Sequence, residues 1–214
     1  MLFNSIDFLV FFPLVTAIYF ATPYAWRWLP LLLASCWFYM AFVPVYILIL
    51  FFTIAVDFIA GIAIEGAEGK RRKAFLVASI VANVGVLAFF KYFNFLNANL
   101  ASLAEFLHWN YPIEALGILL PIGLSFHTFQ SLSYTVEVYR GQMRAERHLG
   151  VFALYVMFYP QLVAGPIERP QNVLPQLHAH HDFDYRDATA GLKLMAWGFF
   201  KKVVIADRVA VLVN

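Results

Sequence analysis

His127, Gln130, Tyr134 and Glu137 recur at intervals of three and four residues inside the run LGILLPIGLSFHTFQSLSYTVEVY, Leu116 to Tyr139. On a helix that spacing, continued backwards to Gly123, makes one stripe. Histidine can relay protons, and glutamine and tyrosine can orient an acyl or hydroxyl group, so the stripe has the makings of a substrate wall. The same side chains could equally glue helices together by hydrogen bonds. The run carries no formal charge from Leu116 through Val136 and is long enough to cross a bilayer. Polar groups are expensive in hydrocarbon and face a partner helix or a wet cavity. The expectation is a spanning helix with one wet face, and with Ile122, Phe129, Leu132 and Val136 turned to lipid.

Four other groups carry potential chemistry. In FYPQLVAGPIERPQNVLPQL, Gly165-Pro166 and Arg169-Pro170 break helix next to apolar sequence. Irregular backbone near membrane depth is tolerated where it is buried in protein or lines a cavity, and Gln161 sits at that break. By composition alone an ordinary turn with a Glu168–Arg169 surface pair explains it as well. His178, His180, His181, Asp182 and Asp184 superficially resemble a metal cluster, but their spacing fits no zinc pattern, and a solvated loop is expected. In GLKLMAWGFFKKVVIADR, Lys193, Trp197, Lys201 and Arg208 share a helical face. That face suits phosphates of a donor or of lipid headgroups, or simple snorkelling at the interface. Asp7 and Asp57 are carboxylates inside apolar segments, and Asp57 reads as lying near a span end.

The elements that must hold these residues belong to a membrane. The chain is 62% hydrophobic and 13% charged, with a mean hydropathy of +0.72. A soluble domain holds about 25% charged residues, and a globule of this length could not hide so much apolar surface. Tyr24, Trp26 and Trp28 mark a headgroup-level turn. The single Cys36 rules out an internal disulfide framework, and a net charge of +2 gives no reason to expect nucleic acid. No lysine or arginine precedes the first apolar segment and no clean cleavage site follows it, so it reads as a retained span.

Apolar segments run over Phe3–Phe20, Leu29–Ala41, Val45–Ile64 and Ala74–Phe90, the last about 25 Å long as a helix. Glu65–Lys73 reads as a charged loop. Phe93, Leu96, Leu100, Leu103 and Leu107 recur at helical spacing, as in a separate interfacial or re-entrant helix. Leu149–Val163 is short for a crossing, Ala164–Arg186 reads as a Pro-rich loop, and Gly191–Val213 is broken by Lys201, Lys202, Asp207 and Arg208. The last reads as partly buried in protein or riding the interface. Placing Lys70–Lys73 in the cytoplasm puts the N-terminus outside and brings Arg140, Arg144 and Arg147 to the cytoplasm too.

Three ordered motifs, PIGLSFHTFQSLSYTVEVYRG, FYPQLVAGPIERP and GLKLMAWGFFKKVVIADR, together with the opening MLFNSIDFLVFFPLV, resemble the membrane-bound O-acyltransferases. The resemblance covers nearly the whole chain and is nearest the bacterial branch of alginate O-acetyltransferases and D-alanyl transfer proteins. It implies an all-α, polytopic integral membrane protein, a partial ring of helices around a funnel with re-entrant or interfacial helices, multi-pass in a bacterial inner membrane.

The resemblance further implies transfer of an acyl group, acetyl above all, from a thioester donor on the cytoplasmic side (acetyl-CoA or an acyl carrier protein) to a hydroxyl of a cell-surface polysaccharide. No bound cofactor is implied. Membrane lipid surrounds such a protein, and a periplasmic or extracellular acyl-transfer protein is a possible partner. The family's active-site histidine lies in a C-terminal half beyond the matched region, and none of the six histidines here aligns with it. The chain thus reads as the N-terminal part, residues 1–214, of a single acyltransferase domain, truncated and inactive alone, with no catalytic residue of its own. His127, Gln130, Tyr134 and Gln161 are the substrate-path candidates. A transporter or channel-like protein, which a polar-striped span also suits, and a non-catalytic membrane scaffold are the alternatives.

Overall fold

The computed structural model describes residues 3–41, 44–109, 123–162 and 165–213, and among them every regular element is helical. The chain divides into two compact units, residues 31–178 and residues 1–30 with 179–214.

The larger unit is built on α3 (Ile47–Gly66), which packs against α4 (Gly69–Phe106), α5 (Leu124–Tyr139) and α6 (Leu149–Met157). Most of α2 (Trp28–Met40) also belongs to it, and α7 (Pro170–His178) lies against α5 and α6. Only Ala67 and Glu68 separate α3 from α4, so the two form an antiparallel pair, and Gly69 makes the turn at φ 55°. Among the described residues, segment 44–66 and α4 are the two stretches long and apolar enough to cross a membrane. At 38 residues α4 is about 57 Å long, well beyond a hydrocarbon core of about 30 Å.

Several sequence expectations change here. The charged segment 65–73 is helical on both sides of a two-residue break rather than a loop. The separate helix expected around Phe93–Leu107 is the continuation of α4, because no glycine or proline interrupts residues 86–106. Of the stretch expected to span from Leu116, the described part forms the helix Leu124–Tyr139; residues 116–122 lie outside the described residues. The 16 residues of α5 measure about 24 Å. Within the expected Pro-rich loop, Pro170 starts α7, at the first-turn position where its missing N–H costs nothing. Asp57 is not near a span end: it is the eleventh of twenty residues in α3 and fully buried.

In the smaller unit, α1 (Ile6–Ala21) is capped by Ser5, whose Oγ accepts the Phe8 N–H at 3.2 Å. Asp7 is exposed in that first turn, where a carboxylate suits the helix N-terminus. Arg27 donates to the carbonyls of Thr22 and His181 and lies over the Tyr19 ring at 5.1 Å. Asp184 caps α8 (Tyr185–Phe199) by accepting from Arg186 N–H at 2.6 Å and Asp187 N–H at 3.3 Å. A π-helical segment, Phe200–Ala206, follows and leads into α9 (Asp207–Val213). The wider turn shifts the register, so the face expected from Lys193 to Arg208 does not run unbroken. No residue of α8 is buried; of the two readings of Gly191–Val213, buried in protein or riding the interface, its α8 part shows no burial among the described residues. Trp197 stacks on Phe200 at 5.3 Å, and Lys201 lies 6.0 Å from the Trp197 ring centroid.

Candidate functional site

The stripe on α5 is buried throughout: His127 is 2% exposed, Gln130 and Tyr134 are 0%, and Glu137 is 8%. Phe129, on the other face, is 56% exposed. What the stripe meets is the end of α6. The last four carbonyls of a helix have no partner within it. Two of those of α6 are taken by α5 side chains: Gln130 Nε2 donates to Tyr155 O at 2.7 Å, and His127 Nδ1 donates to Val156 O at 3.0 Å. Because a carbonyl only accepts, the proton of the neutral His127 ring is on Nδ1, and Nε2 presents a lone pair. Gln130 Nε2 also reaches Gln161 Oε1 at 3.3 Å. Three of the four sequence candidates therefore converge on the α5–α6 junction and the turn after it.

Two acceptor atoms at this junction, His127 Nε2 and Gln130 Oε1, are buried without a hydrogen-bond partner, as is the Tyr39 hydroxyl. The Tyr39 and His127 rings meet edge to face at 6.0 Å. Buried polar atoms are nearly always paired, so each of these three calls for a hydrogen-bond partner that the described residues do not supply.

The backbone around them leaves no latitude. Gly123, before α5, has φ 79°, and a Cβ there would sit 2.7 Å from Leu162 O and 3.4 Å from His127 Nε2. At Gly165 a Cβ would lie 2.5 Å from Gln161 Cα. The helix breakers of the Pro-rich motif thus fold the chain back on Gln161; residues 163 and 164 lie outside the described residues.

Tyr134, the fourth candidate, points elsewhere. Its hydroxyl accepts the Glu146 N–H at 3.0 Å, and its ring packs on Phe152 at 4.5 Å and against Gly61. It belongs to the packing of α3, α5 and α6. Tyr155 was not among the sequence candidates, yet its hydroxyl contacts Ser133 Oγ and donates towards Gln130 O and Glu168 O, each at 3.3 Å. Ser35 was also missed: its Oγ accepts the Tyr159 N–H at 3.1 Å and donates to Leu31 O at 2.7 Å. Its signal is the single serine of an otherwise apolar helix.

The histidine-rich segment is dispersed. His178 Nε2 meets Glu146 Oε2 at 2.7 Å, His180 lies 3.6 Å from Asp182, and Asp184 is a helix cap. Among the described residues no three of His, Cys, Asp or Glu are placed to hold a metal.

The comparisons with known proteins agree with the motifs. The chain is 39% identical over 220 residues to the Azotobacter vinelandii protein named "Probable alginate O-acetylase AlgI", covering 98% of this chain and 42% of that one. Its namesake in Pseudomonas aeruginosa is 38% identical over 224 residues, covering 100% of this chain and 41% of the relative. The peptidoglycan O-acetyltransferase of Helicobacter pylori is 30% identical over 207 residues, covering 84% and 38%. No family model and no solved structure matches the chain. The chain belongs to the membrane-bound O-acyltransferase family. It spans about two fifths of the length of the relatives it matches.

Proposed function

We propose that this chain forms part of a multi-pass inner-membrane O-acetyltransferase. The acetyl group passes from a cytoplasmic thioester, acetyl-CoA or an acyl carrier protein, to a hydroxyl of a cell-surface polysaccharide. The relatives' names support the reaction and the acceptor class. The α5–α6 junction lines the path, with His127, Gln130 and Gln161 facing it and Tyr134 holding α5 in place.

One observation carries the assignment of the path: His127 Nε2 and Gln130 Oε1 are buried acceptors without partners. An acceptor sugar presents hydroxyl donors, which complement two bare lone pairs. His127 acts here by positioning a hydroxyl. The general base that would deprotonate it is not assigned to any residue of this chain. A periplasmic or extracellular partner protein remains part of the proposal for the whole enzyme.

The test is His127→Asn in the full-length gene, with polysaccharide ester content measured by NMR. Asparagine can still donate to Val156 O but lacks the Nε2 lone pair. With protein levels and melting temperature unchanged, ester formation falls about tenfold, the equivalent of one hydrogen bond of roughly 1.4 kcal/mol. Wild-type ester content at wild-type protein levels refutes the assignment of the path.

A further inference from the structure

We propose that Asp57 anchors a buried site for a monovalent cation at the meeting of α3, α4 and α5. Asp57 is 0% exposed, near the middle of a helix apolar enough to cross a membrane. Ser79 Oγ donates to its Oδ1 at 2.6 Å, and Asn83 Nδ2 reaches Oδ1 at 2.8 Å and Oδ2 at 3.0 Å. Thr135 Oγ1 lies 3.4 Å from Ser79 Oγ. Ser131 stands close enough to influence the carboxylate, yet its Oγ makes no hydrogen bond of ordinary geometry. All four neighbours are buried. Among the described residues no lysine, arginine or histidine forms an ion pair with Asp57.

A carboxylate held inside apolar surroundings needs a counter-charge or a proton. The atoms left over at this site distinguish the two. Asn83 Oδ1 and Ser131 Oγ are both buried and both lack a partner. A proton on Asp57 makes one donor and can satisfy one of those oxygens. A cation takes lone pairs from several at once. Asp57, Ser79, Ser131 and Thr135 offer carboxylate and hydroxyl oxygens; the Asn83 amide, whose Nδ2 now donates to Asp57 and to Ser79 O, adds a further oxygen when a cation replaces those hydrogen bonds and the amide turns. That set is all hard oxygen, the chemistry of alkali and alkaline-earth ions. With one carboxylate, a divalent ion would leave a net positive charge in hydrocarbon, so the site fits a single charge. Three helices each contribute a ligand, which makes the ion a staple of the bundle.

The experiment is thermal unfolding of the full-length protein in detergent, in sodium chloride against choline chloride at equal ionic strength. Sodium raises the melting temperature saturably. Asp57→Asn abolishes the response. Ser131→Ala removes one hydroxyl oxygen beside Asp57, so the melting temperature still rises with sodium but needs severalfold more of it for half the effect. Melting curves that coincide in sodium and choline overturn the proposal and leave Asp57 a protonated acid. A sodium response unchanged in Ser131→Ala and Asp57→Asn overturns it as well.

Discussion

Gly61→Ala tests the packing that fixes α5 on α3. Gly61 lies within α3 and is buried. A Cβ built there falls 2.5 Å from the Tyr134 Oη, 2.7 Å from Cε1 and 2.9 Å from Cζ. In a free helix the change would gain about 1 kcal/mol in propensity. Here the ring cannot step aside, since it is 0% exposed, packs on Phe152 at 4.5 Å and holds the Glu146 N–H at 3.0 Å. Overpacking a rigid core costs about 1–3 kcal/mol, and displacing the hydroxyl forfeits a hydrogen bond of about 0.5–1.5 kcal/mol. The two losses outweigh the propensity gain, leaving a net destabilisation of about 1–3 kcal/mol. The assay is chemical or thermal unfolding in detergent, followed by circular dichroism. A second variant separates the causes. Tyr134→Leu clears the space, so adding Gly61→Ala to it should cost nothing or stabilise slightly. A single Gly61→Ala variant more stable than wild type would refute the reasoning, because propensity alone would then decide.

Two more outcomes follow from the junction. Ser35→Ala removes the Oγ that accepts the Tyr159 N–H at 3.1 Å; both residues are buried, so about 1–3 kcal/mol of stability is lost, while Ser35→Thr retains most of it, read by the same unfolding assay. Gly165→Ala drives a Cβ to 2.5 Å from Gln161 Cα, a backbone neighbour that cannot give way. The turn reopens, Gln161 leaves Gln130, and polysaccharide acetylation in cells drops by at least the factor seen for His127→Asn.

The stripe on α5 was legible because its period is a property of the sequence alone. Its meaning was not. Gln130 and His127 bind main-chain carbonyls of Tyr155 and Val156, and a carbonyl leaves no mark in a list of residue types. The same blindness hid the start of α5. Gly123 sits in an apolar run that reads as continuous, and only its φ of 79°, with the Leu162 carbonyl pressed against it, shows that the helix begins there. Tyr134 failed in the opposite direction. It keeps the stripe's spacing, but α3 supplies a glycine where its ring must lie, and the contact joins residues far apart in sequence.

Asp57 shows how one local misreading conceals a site. Taken as a charged loop, residues 65–73 give no register between the segments on either side. Confined to Ala67 and Glu68, the break turns α3 and α4 into a hairpin, and positions equally far from it stand opposite each other. Asp57 lies ten residues before Ala67 and Ser79 eleven after Glu68, so they must meet; Asn83, one turn further along α4, shares the same face. Ser131 and Thr135 repeat that four-residue spacing on α5. Each pair taken alone reads as scattered hydroxyls and amides in apolar helices. Brought together by a two-residue turn, they surround the one carboxylate at the centre of α3, and the chemistry of that place is set by the turn as much as by the acid.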